Sequence, residues 1–178
     1  LTRAEFFRLA AGAGAALLAG DAEAAGLQLM RAIPQSGEKI PAIGLGTART
    51  FDVGRDPALY APRREVTRLF FQEGGTLIDT SPMYGRAERA TGDFLRDLSL
   101  QDKAFIATKV WTRGRRAGIA QMTESMRLLR TERIDLMQVH NLIDTRTQLR
   151  TLRAWKDEGK IRYIGITHYS TSAFGELA

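Results

Sequence analysis

The chain has 178 residues, a net charge of +6 and no Cys, and 44% of its residues are hydrophobic. This composition is that of an ordinary globular domain, and the missing Cys excludes disulfides and thiolate metal sites. The positive charge comes from scattered Arg without an aromatic-interleaved basic stripe, so we expect no nucleic-acid partner. With only two His, a multi-His metal centre is not expected either.

The first 25 residues differ in kind from the rest. Arg3 and Arg8 precede a small-residue apolar run over 9–19, and Ala22-Glu23-Ala24 supplies small residues where signal peptidase cleaves. We therefore expect residues 1–25 to be a secretory signal cleaved after Ala24. The mature domain would then be residues 26–178.

This N-terminal segment also resembles a twin-arginine export motif, with Ala4 where the second Arg would stand. Its apolar run is too short to span a bilayer, which takes about 20 residues, so we expect no stable membrane span. The expected location is the bacterial periplasm. The alternative is a cytoplasmic protein whose N-terminus is an amphipathic helix.

From residue 40 onward, short apolar runs alternate with stretches of helical periodicity. Ahead of them, residues 27–33 and 39–41 flank Pro34-Gln35-Ser36-Gly37, which predicts a small hairpin around a Pro/Gly turn. Strands that alternate with amphipathic helices indicate a parallel sheet with helical crossovers. The runs that predict its strands are residues 43–46, 76–79, 104–108, 134–139 and 161–166.

The stretches between these runs carry apolar residues at helical spacing and end at glycines. Gly74-Gly75 ends the first predicted helix and Gly159 ends the last, as glycine does just beyond a helix C-terminus. The predicted apolar stripes are Val66, Leu69 and Phe70; Ala87, Ala90, Phe94 and Leu98; Ile119, Met122, Met126 and Leu129; and Leu149, Leu152 and Trp155.

Polar or ionisable groups follow the predicted strands: Asp79, Lys109, His140 and Thr167-His168 come at the ends of the second to fifth runs. In a (β/α)8 barrel all such ends open onto the face that holds the active site. In a doubly wound sheet they converge only near the switch point. The fingerprint G-x-G-x-x-G does not follow the first run, and we therefore favour the TIM barrel.

Asp79, Tyr84, Lys109 and His140 form a complementary set for carbonyl reduction. The nascent alkoxide needs a proton, and a Tyr can supply it if its pKa, about 10 when free, is lowered. An ammonium about 4 Å away contributes about 4 kcal/mol at an effective dielectric of about 20, or about three pKa units. We expect Lys109 to acidify Tyr84, Asp79 to hold Lys109, and His140 to orient the carbonyl. Each alone fits a turn, loop or strand-end role; the four together favour a site.

Five segments, in order along the chain, resemble the aldo/keto reductase family. Residues 75–85 resemble its signature carrying the catalytic Asp and Tyr, residues 106–111 its Lys strand, and residues 135–140 its His strand. Residues 40–47 and 159–166 resemble its first and fifth strands. Any one of these segments is a weak signal, whereas five in the family's order are specific.

The resemblance implies a barrel that binds NADP(H), rather than NAD(H), and transfers hydride between the nicotinamide and aldehydes or ketones. It places Asp79 and the backbone of Gly46 and Thr47 near the cofactor, and makes Trp111 a wall of the substrate pocket. Thr167-His168 stands where the family has a Ser-Asn pair that holds the nicotinamide carboxamide. His168 departs from that Asn, because an imidazole offers one donor and one acceptor at a different geometry.

A complete barrel needs about 250 residues, and five predicted strands follow the N-terminal signal here. We therefore expect an α/β barrel truncated after about five βα units, inactive and poorly folded on its own. Three functions stay open: an exported reductase of small carbonyl compounds, a non-catalytic cofactor-binding regulatory protein of the same fold, and a different barrel enzyme acting on phosphorylated substrates. The intact set of four residues argues against the second. The sequence indicates no oligomeric state.

Overall fold

The computed structural model describes residues 28–177, leaving aside the side chain of Glu176. The proposed signal over residues 1–25 and its cleavage point after Ala24 lie outside the described residues. The chain divides into two compact units at residues 42 and 43, of which the second holds the functional residues considered below. No helix in the described range is long and apolar enough to cross a membrane.

The described part of the first unit is the predicted hairpin. Strands β1 (Met30–Ala32) and β2 (Lys39–Pro41) pair antiparallel. The amide of Gly37 donates to the carbonyl of Ile33, and Gly37 has φ +72°, which glycine adopts at no steric cost. The Pro/Gly turn predicted from the sequence is thereby confirmed.

The second unit is built on a five-stranded parallel sheet in the order β3-β4-β5-β6-β7. Consecutive strands are neighbours throughout, as in the wall of a barrel. This confirms the predicted α/β class and strand sequence. The strands are β3 (Leu45–Gly46), β4 (Leu77–Asp79), β5 (Phe105–Val110), β6 (Ile134–His140) and β7 (Ile161–Thr167).

A helix follows each of these strands. Asp56 caps the first helix through its carboxylate, which accepts from the Ala58 amide, and Gly74 with φ +85° follows the helix end. Short 3-10 turns at Gln101–Lys103 and Thr171–Ala173 complete the connections. The helices are α1 (Pro57–Gln72), α2 (Ala87–Asp97), α3 (Arg115–Leu129), α4 (Thr145–Asp157) and the short α5 (Phe174–Leu177).

The core lies between the sheet and the inward faces of these helices. The stripes predicted on α2, α3 and α4 do supply it, with Phe94, Met122, Leu129 and Leu152 fully buried. The stripe predicted on α1 differs, because Val66 and Leu69 are exposed. Helix α1 instead packs through Phe70 and its neighbour Phe71.

Candidate active site

An ion pair joins the ends of β4 and β5. The Lys109 ammonium donates to both carboxylate oxygens of Asp79, at 2.8 and 2.6 Å, and to the carbonyl of Thr80 at 2.8 Å. Its three protons therefore have three acceptors. The Lys109 side chain is buried, which lowers its pKa, while the Asp79 carboxylate acts in the opposite direction. The expected Asp79–Lys109 contact is present.

Tyr84 lies in the loop after β4 with its ring close to this pair. The Lys109 nitrogen is 5.1 Å from the ring centroid. The pKa of Tyr84 is raised by burial and by the Asp79 carboxylate. The expectation that Lys109 acidifies this phenol is therefore wrong, because burial and the Asp79 carboxylate, which is paired with the ammonium, both favour the protonated phenol.

His140 ends β6 beside the same residues. Its ring is edge-on to that of Tyr84, with centroids 6.4 Å apart. Burial and the Lys109 ammonium lower the pKa of His140, so the imidazole is neutral at pH 7. Its Nδ1 atom is buried and lacks a hydrogen-bond partner among the described residues.

A cavity of about 460 Å³ opens in front of Tyr84 and His140. It lies at the C-terminal ends of the strands, the side on which barrel enzymes build their sites. Its described lining consists of Ala48, Arg49, Asp52, Met83, Tyr84, Gly85, His140, Asn141 and Tyr169.

The two residues predicted near the cofactor at the end of β3 differ in role. Thr47 is fully buried, and both its amide and its hydroxyl donate to the carbonyl of Asp79. These bonds fix the loop after β3 to the end of β4 and leave Thr47 no donor for a ligand. Gly46 is exposed, and a Cβ placed there would meet nothing within 4 Å.

At the end of β7, Thr167 pairs with His140 across the sheet, and His168 follows it. The Ser170 amide donates to Nδ1 of His168 at 2.9 Å. Because Nδ1 acts as acceptor, a neutral His168 carries its proton on Nε2 and offers a donor there. The ring also stacks on Tyr169, at 5.0 Å between centroids.

Trp111, predicted to wall the substrate pocket, is 41% exposed and is not part of the described cavity lining. Its backbone is held by Gln121 of α3, whose side-chain oxygen accepts from the Trp111 amide at 2.6 Å. The role of Trp111 as a wall of the substrate pocket stays a prediction.

Several residues at the site were missed by sequence reasoning. Gln138 of β6 donates to Asp79 Oδ1 at 3.3 Å, and Asp52 binds both the amide and the Nε of Arg86 at 3.0 Å. Asn141, directly after His140, has a buried side-chain oxygen without a partner among the described residues. Gln138 could have been predicted from the sequence. It lies two residues before His140 in the same strand, and side chains two apart face the same side. The Asp52–Arg86 contact spans two loops and has no such signal.

Tyr84, the Asp79–Lys109 pair and His140 thus lie near one another at the C-terminal ends of neighbouring parallel strands. The aldo/keto reductase family model matches residues 42–177. The chain therefore belongs to the aldo/keto reductase family, a family of oxidoreductases.

Individual relatives agree with this assignment. The chain is 31% identical over 156 residues to aldo-keto reductase YhdN of Bacillus subtilis (strain 168), covering 78% of this chain and 46% of that protein. It is 31% identical over 147 residues to methylglyoxal reductase YeaE of Escherichia coli (strain K12), covering 78% and 49%. The chain thus spans about half the length of these relatives.

Solved structures show the same fold. An aldo-keto reductase from Klebsiella pneumoniae in complex with NADPH superposes with a TM-score of 0.69 at 26% identity, over 84% of this chain and 55% of that one. An aldo/keto reductase from the same organism with NADP and acetate gives a TM-score of 0.68 at 28% identity, over 79% and 50%.

Proposed function

We propose that the protein containing this chain reduces aldehydes or ketones to alcohols with a nicotinamide cofactor, and that Tyr84 donates the proton. The observation that carries this proposal is that Tyr84 and His140 line one cavity, with the Asp79–Lys109 pair against the ring of Tyr84. The family acts on small carbonyl compounds, and one similar protein is named as a methylglyoxal reductase. We take a small carbonyl compound as the substrate class.

The raised pKa of Tyr84 suits a proton donor. An acid must be protonated before the reaction, and burial together with the Asp79 carboxylate keeps this phenol protonated at neutral pH. As the proton leaves for the carbonyl oxygen, negative charge develops on the Tyr84 oxygen. The Lys109 ammonium, 5.1 Å from the ring centroid, is placed to stabilise that charge.

His140 is suited to orient the substrate rather than to supply its proton. A neutral imidazole donates one hydrogen bond, and its lowered pKa keeps it neutral at pH 7. Nδ1 is buried, which leaves Nε2 as the nitrogen available to the cavity. A hydrogen bond from Nε2 to the carbonyl oxygen would hold that oxygen next to the Tyr84 hydroxyl.

The chain also offers groups that fit a nicotinamide. A carboxamide needs a donor for its oxygen and an acceptor for its amino group, and the ends of β6 and β7 supply both. The unpartnered Oδ1 of Asn141 is the acceptor, and the Nε2 proton of His168 is the donor. At the end of β3, Gly46 leaves open space for a ligand. We propose NADP(H) over NAD(H); when bound, the cofactor supplies the hydride.

The test is Tyr84→Phe in the protein expressed from its complete coding region, assayed by the loss of NADPH absorbance with methylglyoxal. We expect turnover to fall by a factor of about 100 to 10,000, the usual contribution of a positioned acid. Tyr60→Phe is the matched control. Tyr60 is outside the described cavity lining, and its hydroxyl donates to Asp97 at 3.4 Å. Unchanged turnover in Tyr84→Phe would exclude Tyr84 as the donor.

We further propose that the 178 residues alone are inactive, since they span about half the length of the relatives above. Parallel sheets are normally buried on both faces and at their edges, and five strands leave β3 and β7 as edges of the described sheet. We expect the purified chain to show neither a sharp cooperative melt nor NADPH oxidation. Observing both would contradict this proposal.

Export to the periplasm through the first 25 residues is also proposed, on their basic start, apolar run and small-residue end. In a bacterial host, fractionation of the protein with and without these residues tests it. Periplasmic protein lacking the first 24 residues is the expected result, and full-length protein in the cytoplasm would contradict it.

A further inference from the structure

Arg49 lies at the centre of an unusually tight turn beside the active-site cavity. The amide of Thr50 donates to the carbonyl of Ala48 at 2.7 Å, which closes a three-residue turn around Arg49. Arg49 has φ +64°. Residues other than glycine rarely adopt this conformation, because the Cβ atom crowds the backbone.

Neighbouring bonds hold this turn in place. The Phe51 amide donates to the Thr47 carbonyl at 3.1 Å, and Nε of Arg63 in α1 donates to the Thr50 carbonyl at 3.2 Å. The turn is thus anchored to β4 through Thr47 on one side and to α1 on the other. Local strain persists where the surroundings over-determine it, and such positions cluster at functional sites.

No described residue compensates the charge of Arg49. Arg49 is exposed, lines the cavity, and has no hydrogen-bond or ion-pair partner within residues 28–177. The acidic residue in the same described lining, Asp52, is already bound by Arg86. Lys109 forms an ion pair with Asp79. The cavity wall therefore presents one guanidinium with free donors.

We propose that Arg49 binds an anionic group of the substrate, so that the preferred substrates are carbonyl compounds that carry a carboxylate or a phosphate. This proposal rests on the proposed function. A guanidinium binds either anion through two parallel hydrogen bonds, which would fix the substrate while its carbonyl faces Tyr84 and His140. Glycine would fit the backbone of this turn with less strain, so replacing Arg49 by Gly removes the guanidinium without straining the turn.

The experiment compares two substrates of matched shape, para-formylbenzoate and para-formylbenzamide, in the protein expressed from its complete coding region. The variants are Arg49→Gln, which removes the charge, and Arg49→Gly, which also relieves the turn. In both we expect kcat/KM to fall about tenfold for the anion, equivalent to the loss of one good ionic contact, with little change for the amide. The melting temperature of Arg49→Gly should equal or exceed that of wild type.

Arg89→Gln is the matched control, because Arg89 is an exposed Arg of α2 outside the described lining. The preference of wild type for the anion should also weaken at high salt, whereas the control should behave as wild type. An unchanged ratio of the two kcat/KM values in Arg49→Gln would overturn the proposal. So would an increase in the KM for NADPH that is the same with both substrates, since Arg49 would then serve the cofactor.

A binding measurement separates this proposal from the proposed function. If wild type turns over neither aldehyde, the proposed function fails. Calorimetric titration with para-(hydroxymethyl)benzoate and with its amide, at saturating NADP, still decides the role of Arg49. Tighter binding of the anion that is lost in Arg49→Gln supports the proposal, and equal binding of the two compounds overturns it.

Discussion

The two faces of β5 bind carboxylates in different ways. Thr108 and Lys109 are consecutive and therefore point to opposite sides of the strand. Lys109 holds Asp79 at the mouth of the sheet through an ion pair of 2.6 Å. On the other side, the Thr108 hydroxyl donates to the carboxylate of Glu88 in α2, at 2.6 Å. One strand thus carries a charged contact on its inner side and a neutral donor on its outer side.

The difference lies in how each carboxylate is compensated. Asp79 has an ammonium partner and keeps about a third of its side-chain surface in solvent. Glu88 is 1% exposed, and burial raises its pKa despite the opposing effects of the Thr108 and Ser125 hydroxyls and the Lys109 ammonium. A hydroxyl compensates a buried negative charge less completely than an ammonium does. The comparison predicts that the inner contact, Asp79–Lys109, governs activity. The outer contact, Thr108–Glu88, is predicted to govern stability.

The largest expected effect comes from Lys109→Met. This change removes the group placed to stabilise charge on Tyr84, and kcat should fall by a factor of about 100 or more. The free energy of unfolding should fall by only about 1 kcal/mol, because the change removes the desolvation cost of the buried ammonium and the Asp79 carboxylate left behind is about a third exposed to solvent. Steady-state kinetics and urea denaturation of the same samples measure the two quantities.

Lys160→Met is the matched control for that prediction. Lys160 pairs with Glu158 at 2.7 Å, but both side chains are about half exposed. Exposed pairs of this kind contribute about 0–1 kcal/mol, so both kcat and stability should stay near wild type. A large loss of stability without loss of kcat in Lys109→Met would reverse the comparison.

Much of the inner face could be predicted from the sequence. Asp79, Lys109 and His140 each end an apolar run, and parallel strands bring their C-terminal ends together. Strand order and the Asp79–Lys109 contact follow from that rule. The cores of α2, α3 and α4 follow from the 3.6-residue period.

The features that could not be predicted depend on contacts between loops and on which acceptors each hydrogen-bond donor binds. The predicted acidification of Tyr84 by Lys109 is wrong because that prediction treats the ammonium as an unpaired charge. In the structure its three protons are donated to Asp79 and Thr80. The bonds from the Thr47 amide and hydroxyl to the Asp79 carbonyl could not be predicted either, because they join a loop to a neighbouring strand. On α1, periodicity alone does not say which of its apolar residues face the sheet, and Val66 and Leu69 are exposed.

The outer face is tested by Glu88→Gln. The pKa of Glu88 is higher in the folded chain than in the unfolded one, so the folded state binds the proton more tightly. The contribution of Glu88 to the free energy of unfolding is then fully present below its pKa in the unfolded chain. It is lost as pH rises through its pKa in the folded chain. Wild type should lose stability over that interval, and Glu88→Gln should not. At pH 8 we expect the variant to be more stable by about 1–3 kcal/mol, the cost of an incompletely bonded buried polar group.

Urea denaturation at pH 5 and pH 8 measures this difference for both proteins. The sign of the pH dependence is the decisive result, since a carboxylate stabilised by partners would instead favour folding as pH rises. Equal pH dependence in wild type and in Glu88→Gln would mean that Glu88 has the same proton affinity in both states.

The smallest expected effect is that of Thr108→Val, which removes the hydroxyl that donates to Glu88. We expect a loss of about 1 kcal/mol in the free energy of unfolding at pH 7, a typical value for one hydrogen bond. In the Glu88→Gln background the loss should be about half as large, because Thr108 then donates to a neutral amide oxygen. Throughout, kcat should stay within about twofold of wild type, since Lys109 keeps its three acceptors. A fall in kcat that tracked the loss of stability would show that the outer contact also positions Lys109.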